Sequence, residues 1–245
     1  MKKNKKEIKN DNYSFELKES LKGILGVAIY FGISILGPII PYLFGFDYDN
    51  WNITVKQIYL IGLCIFEMLL FFLLYRKELI NGFKDLGKNI KPYLKGNLKI
   101  WFAALAIMYI SNIAIAIYRG DAVVANNEQT IRDTLKKAAI YVVFATSLYA
   151  PFVEELTFRH SFRKIFKNKY IFVIISGLVF GALHVLQPGV QLIDLLYLIP
   201  YCTPGFAFAI IYLRTNNPTA TISLHFIHNT ILITLQVILL SKGLL

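Results

Sequence analysis

Charge is scarce in this chain of 245 residues: Asp, Glu, Lys and Arg together make up 17% of it, against 56% hydrophobic and 15% aromatic residues. So few charges exclude a water-soluble globule of ordinary composition, and so much apolar surface excludes a disordered coil. Cysteine is scarcer still. Only Cys64 and Cys202 are present, both inside apolar runs, which excludes a disulfide framework and a cysteine metal cluster. There is no HExxH pair and no internal repeat, and the absence of duplicated halves argues against the transporter folds built from them. What is abundant is apolar sequence: the mean hydropathy of +0.53 points to an integral membrane protein. Acidic residues number 15 against 26 basic ones, a net charge of +11. The basic residues lie in short blocks between apolar runs, so they are expected to face an anionic leaflet, with no nucleic-acid partner.

About 20 apolar residues are needed to cross a bilayer. Stretches nearly free of charge occur at residues 23–46, 58–75, 100–118, 138–158, 170–186, 195–213 and 218–240. The expectation is therefore an all-α, polytopic transmembrane helix bundle of about seven spans. The first run is longer than a signal-peptide core and lacks a small-residue cleavage site, so it reads as a retained helix. Seven basic residues in the amino-terminal tail, seven in the loop 76–99, five at 159–169 and Arg214 fall on one side. The positive-inside rule then predicts a cytoplasmic amino terminus and an external carboxy terminus. The chain divides into a basic tail (1–22), a three-span scaffold (23–136) and a four-span region (137–245) that holds the paired glutamates and all four histidines.

Ionisable groups inside a span cost on the order of 3 kcal/mol each and commonly mark function. Glu67, Glu154, Glu155, His184, His225, His228 and Asn229 all lie within or at the edge of the runs. Glu155 and Arg159 are four apart and can pair on one helical face, which gives Glu155 a structural reading. Glu154, turned about 100° away, is left free to act. The plainer alternative is a set of charges snorkelling at a helix end. Pro151 predicts a kink beside these carboxylates. Gly177 and Gly181 form a small-residue face ahead of His184, which is either an interhelical hydrogen-bond partner or a catalyst. His225 and Asn229 share a face, with His228 near it. Glu67 either bonds a neighbouring helix or lines a watery route, and Pro200, Pro204 and Gly205 predict a broken or kinked sixth helix.

Three segments in order, Glu154-Glu155-Leu-Thr-Phe-Arg159, Phe180-Gly-Ala-Leu-His184 and His225-Phe-Ile-His-Asn229, resemble the EExxxR, FxxxH and HxxxN motifs of the CPBP family. That family comprises CAAX prenyl endopeptidases and bacteriocin-processing or immunity proteins, also called Abi. The resemblance spans roughly residues 137–240. It implies a multi-pass intramembrane endopeptidase, expected in a bacterial cell membrane, acting on a membrane-associated or lipidated peptide. Carried over by position, Glu154, His184, His225 and Asn229 would be catalytic, with Glu155, Arg159 and Phe180 in support. His228 has no place in the pattern.

Peptide hydrolysis needs a base for water and donors for the oxyanion. Glu154 with His184 suits the first task, and His225 with Asn229 the second. A competing mechanism uses Glu154, His184 and His225 as zinc ligands, and the sequence does not choose between them. Two further functions share the spans: a catalytically silent immunity or scaffold protein, and a proton-coupled transporter. Counted from the expected cytoplasmic ends, Glu154 and His225 lie about 6 and 10 Å deep but His184 about 21 Å. The mismatch lessens if the fourth helix continues past Arg159, with Arg163 and Lys164 snorkelling.

Overall fold

The computed structural model describes residues 17–120 and 124–244. Most of the expected basic tail, residues 1–16, lies outside the described residues, and its remainder, 17–22, opens the first helix. Among the described residues all regular structure is helical, as a backbone in lipid requires when it must satisfy its own hydrogen bonds. The longer elements are α1 (Leu17–Leu36), α2 (Ile53–Arg119), α3 (Asn126–Lys137), α4 (Ala139–Ile165), α5 (Lys169–Val185), α6 (Leu198–Thr215) and α7 (Pro218–Ser241). Five helices are long and apolar enough to cross a membrane: α1, α2, α4, α6 with the turn that precedes it, and α7. Helix α5 is apolar but shorter, at 17 residues. Their outward faces carry large apolar side chains such as Ile58, Leu73, Ile110, Ile117 and Ile174, the arrangement of a protein solvated by lipid.

Helix α2 corrects one expectation. Residues 76–99, read from their basic residues as a loop, are helical, and the apolar runs on either side belong to the same 67-residue element. Straight, it would be about 100 Å long. It bends instead at Tyr75 (φ −116°, ψ 24°) and Asn89 (φ −120°, ψ 26°). Residues 76–91 hold no proline, so nothing stops the helix there. Pro92 falls in the first turn after the second bend, where its missing N–H is not needed. Phe71, Tyr75 and Leu79 pack on Val153 and Leu156 of α4, while Trp101 packs on Phe208 and Ile211 of α6.

Asparagines set several boundaries. Asn52, Asn168 and Asn217 cap the starts of α2, α5 and α7 by accepting from Val55, Tyr170 and Thr219 N–H groups at 2.9 Å each. Gly120 (φ 71°) ends α2 and Asn216 (φ 48°) ends α6, both in the left-handed region that stops a helix.

Helix α4 is the centre of the bundle. Residues 153–164 are all buried. It runs to Ile165, beyond the edge set at residue 158, which removes part of the expected depth mismatch. Arg163 and Lys164 do not snorkel. Arg163 Nη1 donates to the carbonyls of Phe166 and Lys167 at 2.9 and 2.7 Å, and Lys164 pairs with Glu19 of α1. With Lys22–Glu78 (2.5 Å) and Asn217 Nδ2 on the Gly82 carbonyl (2.9 Å), these contacts gather the basic segments at one end of the bundle. The opposite end is covered by polar α3 and tied by Arg119–Asp194 at 2.7 Å.

The sixth helix is not broken. Pro200 sits in its first turn, and α6 continues through Pro204 to Thr215. Its Gly205 lies against Gly177 of α5, and a Cβ there would come within 2.9 Å of the Gly177 carbonyl oxygen. A Cβ on Gly181 would meet Cys202 Sγ at 2.2 Å and its backbone nitrogen at 2.8 Å. Small residues therefore bring α5, with His184, close to α6. Gly181→Ala is expected to destabilise the protein by about 1–3 kcal/mol through overpacking. Gly32→Ala, at a helical site with nothing within 4 Å, should be neutral or stabilising. Unfolding of both variants in detergent checks this; equal midpoints would refute the close α5–α6 contact.

Candidate active site

The local structure of α4 departs from a regular helix on both sides of Glu154. Residues Ala145–Tyr149 and Glu155–Ser161 form π-helical turns, with the short α-helical segment Ala150–Glu154 between them. Such turns occur often at functional sites, and nothing in the periodicity of the sequence announced them. Pro151 explains part of the first. In the π register Ala150 N–H bonds to the Ala145 carbonyl, five residues back. The next donor in that ladder would be residue 151, which as proline has none. The Thr146 carbonyl it leaves is taken by Asn229 Nδ2 of α7, at 2.9 Å. On the other side of the same turn, the Tyr149 hydroxyl donates to Glu67 Oε2 of α2 at 2.6 Å. Two polar side chains from different helices thus hold the turn that leads into Glu154.

The expected pair on α4 is present. Arg159 Nε lies 3.4 Å from Glu155 Oε2, and both side chains are fully buried. Neither of those atoms makes an aligned hydrogen bond among the described residues, so the contact is an ion pair. The guanidinium is further held over the Phe180 and Phe208 rings, 4.6 and 5.7 Å from their centroids, and Nη2 reaches the Gly205 carbonyl at 3.4 Å. The other Glu155 oxygen, Oε1, accepts from His225 Nδ1 at 2.9 Å. His225 also stacks on Phe208, with ring centroids 4.9 Å apart. With Nδ1–H committed to Glu155, neutral His225 presents the lone pair of Nε2, which lies 4.0 Å from Glu154 Oε2. That separation is too long for a direct hydrogen bond.

His184 is half-buried and joins this group through Phe180. Its Nδ1 is 2.8 Å from the Phe180 carbonyl; a carbonyl only accepts, so the proton is on Nδ1 and Nε2 is the acceptor of the neutral ring. The His184 ring stacks on Tyr201 (5.4 Å) and contacts Phe180 (4.6 Å), which also neighbours His225 at 6.0 Å. The structure therefore brings Glu155, Arg159 and His225 into direct contact and sets Glu154 Oε2 4.0 Å from His225 Nε2. The expected partner of Glu154 was His184, whereas the imidazole facing it is that of His225. Asn229 is bonded to the α4 backbone. His228 accepts a hydrogen bond from Trp101 Nε1 at 3.3 Å, which leaves its proton on Nε2. Among the described residues no three His, Cys, Asp or Glu side chains are grouped to hold a metal ion.

Sequence reasoning missed Phe208 and Tyr201 as neighbours of the motif residues Arg159, His225 and His184, and Tyr149 and Trp101 as partners of Glu67 and His228. An aromatic in an apolar span carries no signal that separates packing from function. Glu67 was singled out by its charge, but its link to α4 was not visible.

Comparison with known proteins follows the same residues. Residues 136–231 match the family model described as type II CAAX prenyl endopeptidase Rce1-like. A Bacillus subtilis (strain 168) protein described as "Putative membrane peptidase YdiL" is 28% identical over 211 residues, covering 80% of this chain and 81% of the relative. No solved structure matches the chain. The matched segment carries all three motifs and the group formed by Glu154, Glu155, Arg159 and His225, so over residues 136–231 the chain is similar to the Rce1-like CAAX prenyl endopeptidases of the CPBP family.

Proposed function

We propose that the protein is an intramembrane endopeptidase that hydrolyses a peptide bond of a membrane-associated or lipidated peptide, using a water held between Glu154 and His225. The observation that carries this reading is the 4.0 Å gap between Glu154 Oε2 and His225 Nε2, with Glu155 fixed behind the imidazole. A water about 2.8 Å from each atom donates one proton to the carboxylate and one to Nε2, which aims its lone pair outward. Glu154 takes the proton as the water attacks the carbonyl and returns it to the leaving amine. Glu155 sets the tautomer of His225 and steadies any positive charge that develops on it, as a buried carboxylate does behind a catalytic histidine.

Asn229 Nδ2 has a second N–H after bonding Thr146, and that hydrogen, fixed by the first bond, is the donor assigned to the oxyanion. His184 Nε2 stands across Phe180 as the acceptor that orients the substrate. The substrate class rests on the CAAX-type family match. The basic segments gathered at one end of the bundle support a cytoplasmic amino terminus, and the relative from a bacterium supports a bacterial cell membrane.

Cleavage of membrane peptides by purified protein tests the reading. Glu154→Gln keeps the size of the side chain but not its basicity, and kcat should fall about 10²- to 10⁴-fold; wild-type cleavage by that variant would refute the mechanism. A chelator should leave the activity intact, and a loss restored by added zinc would overturn direct water activation by Glu154 and His225. Arg159→Met should destabilise the protein by about 3–5 kcal/mol, because Glu155 is left buried without its cation. Denaturant unfolding in detergent measures this, and an unchanged midpoint would show that Arg159 does not support the site.

A further inference from the structure

A cavity remote from the motifs lies where the bent part of α2 meets the end of α6. It measures about 410 Å³ and is lined by Asn89, Tyr93, Gly96 and Asn97 of α2 with Arg214 and Thr215 of α6. The Arg214 guanidinium folds against the backbone of α2, and it does so because residue 96 is glycine: a Cβ there would stand 2.6 Å from Nη2. Among the described residues no carboxylate pairs with Arg214. Asn97 is 7% exposed, and its Nδ2 donates to the Tyr93 carbonyl at 2.8 Å. Its Oδ1 is buried and accepts no hydrogen bond from any described residue. A buried acceptor without a donor is costly unless a ligand or water supplies one.

The two halves of the cavity ask for different things. Arg214 asks for an anion that accepts two parallel hydrogen bonds, as a phosphate does. Asn97 Oδ1 asks for a donor on the same ligand. Asp85, bonded to the lining residues Asn89 and Tyr93, already accepts from Asn89 (2.7 Å), Tyr93 and Asn217 (3.4 Å). Exposed Lys91, Lys95 and Lys99 follow at four-residue spacing along α2, one helical stripe of positive charge. Arg214 ends the span formed by α6, which sets the cavity at the depth of lipid head groups.

We infer that this cavity binds a phospholipid head group, its phosphate on Arg214 and a hydroxyl or ammonium donor of the same head group on Asn97 Oδ1. Head groups of the glycerol and ethanolamine type carry both features, whereas the choline type has the phosphate but no such donor. The site is independent of Glu154 and of the endopeptidase reading.

Native mass spectrometry of the full chain, released from nanodiscs of defined composition, tests it. Phosphatidylglycerol and phosphatidylethanolamine should be retained at least tenfold more than phosphatidylcholine. Arg214→Gln should reduce that retention at least tenfold. Gly96→Ala should reduce it as well, because the added methyl displaces the guanidinium with no change of charge. Asn97→Leu should erase the preference over phosphatidylcholine. Equal retention of all three lipids, or retention indifferent to Arg214→Gln in folded protein, overturns the proposal. Soluble glycerol 3-phosphate provides the other arm: if it binds in an Arg214-dependent way while the lipids do not, the lipid assignment is overturned.

Discussion

Glu155 is a carboxylate that no water reaches, and the architecture around it follows from its need for partners. A buried negative charge is tolerable only when paired and hydrogen-bonded. Arg159 supplies the charge from one turn along α4 and His225 supplies the donor from α7. The cation in turn requires company, which it finds in the faces of Phe180 and Phe208 and in the Gly205 carbonyl. Four helices thereby meet at one group, and the same group orients the imidazole that faces Glu154. What reads as an acidic pair is a division of labour: one carboxylate holds the bundle and a histidine, the other is left facing outward from that contact.

The second constraint acts on the backbone. Pro151 cannot complete the hydrogen-bond ladder of α4, and the helix responds with a π turn whose free carbonyl is taken by Asn229. Glu67 holds the opposite side through Tyr149. Each residue added to a turn rotates the side chains beyond it by about 100° relative to a regular helix. The turns on either side of Glu154 therefore help decide which neighbour each carboxylate meets. Residues of the amino-terminal half take part, since Glu67 and Trp101 bond directly to Tyr149 and His228. The division into scaffold and site is a division of motifs more than of contacts.

The membrane class, the helical fold, the three motif segments and the Glu155–Arg159 pair were legible without coordinates. Each is a local property: charge-free length, residue type in lipid, or spacing within one helix. The helicity of residues 76–99 was not legible, because their charge resembles that of a loop while their helix-forming residues do not show where the chain bends. Of the two readings of the sixth helix, broken or kinked, the first fails, since prolines that suggest a break are tolerated in a first turn or where a neighbouring helix packs closely.

The sequence by itself determined that glutamate, histidine and asparagine side chains sit in apolar helices, because the cost of placing them in lipid is visible residue by residue. Only the tertiary structure decided that His225 rather than His184 faces Glu154, that Asn229 is bonded to the α4 backbone, and that Asn97 and Arg214 share a cavity. Those pairings depend on how helices distant in sequence rotate and tilt against one another. That is set by the sum of packing over the bundle, and no window of residues contains it.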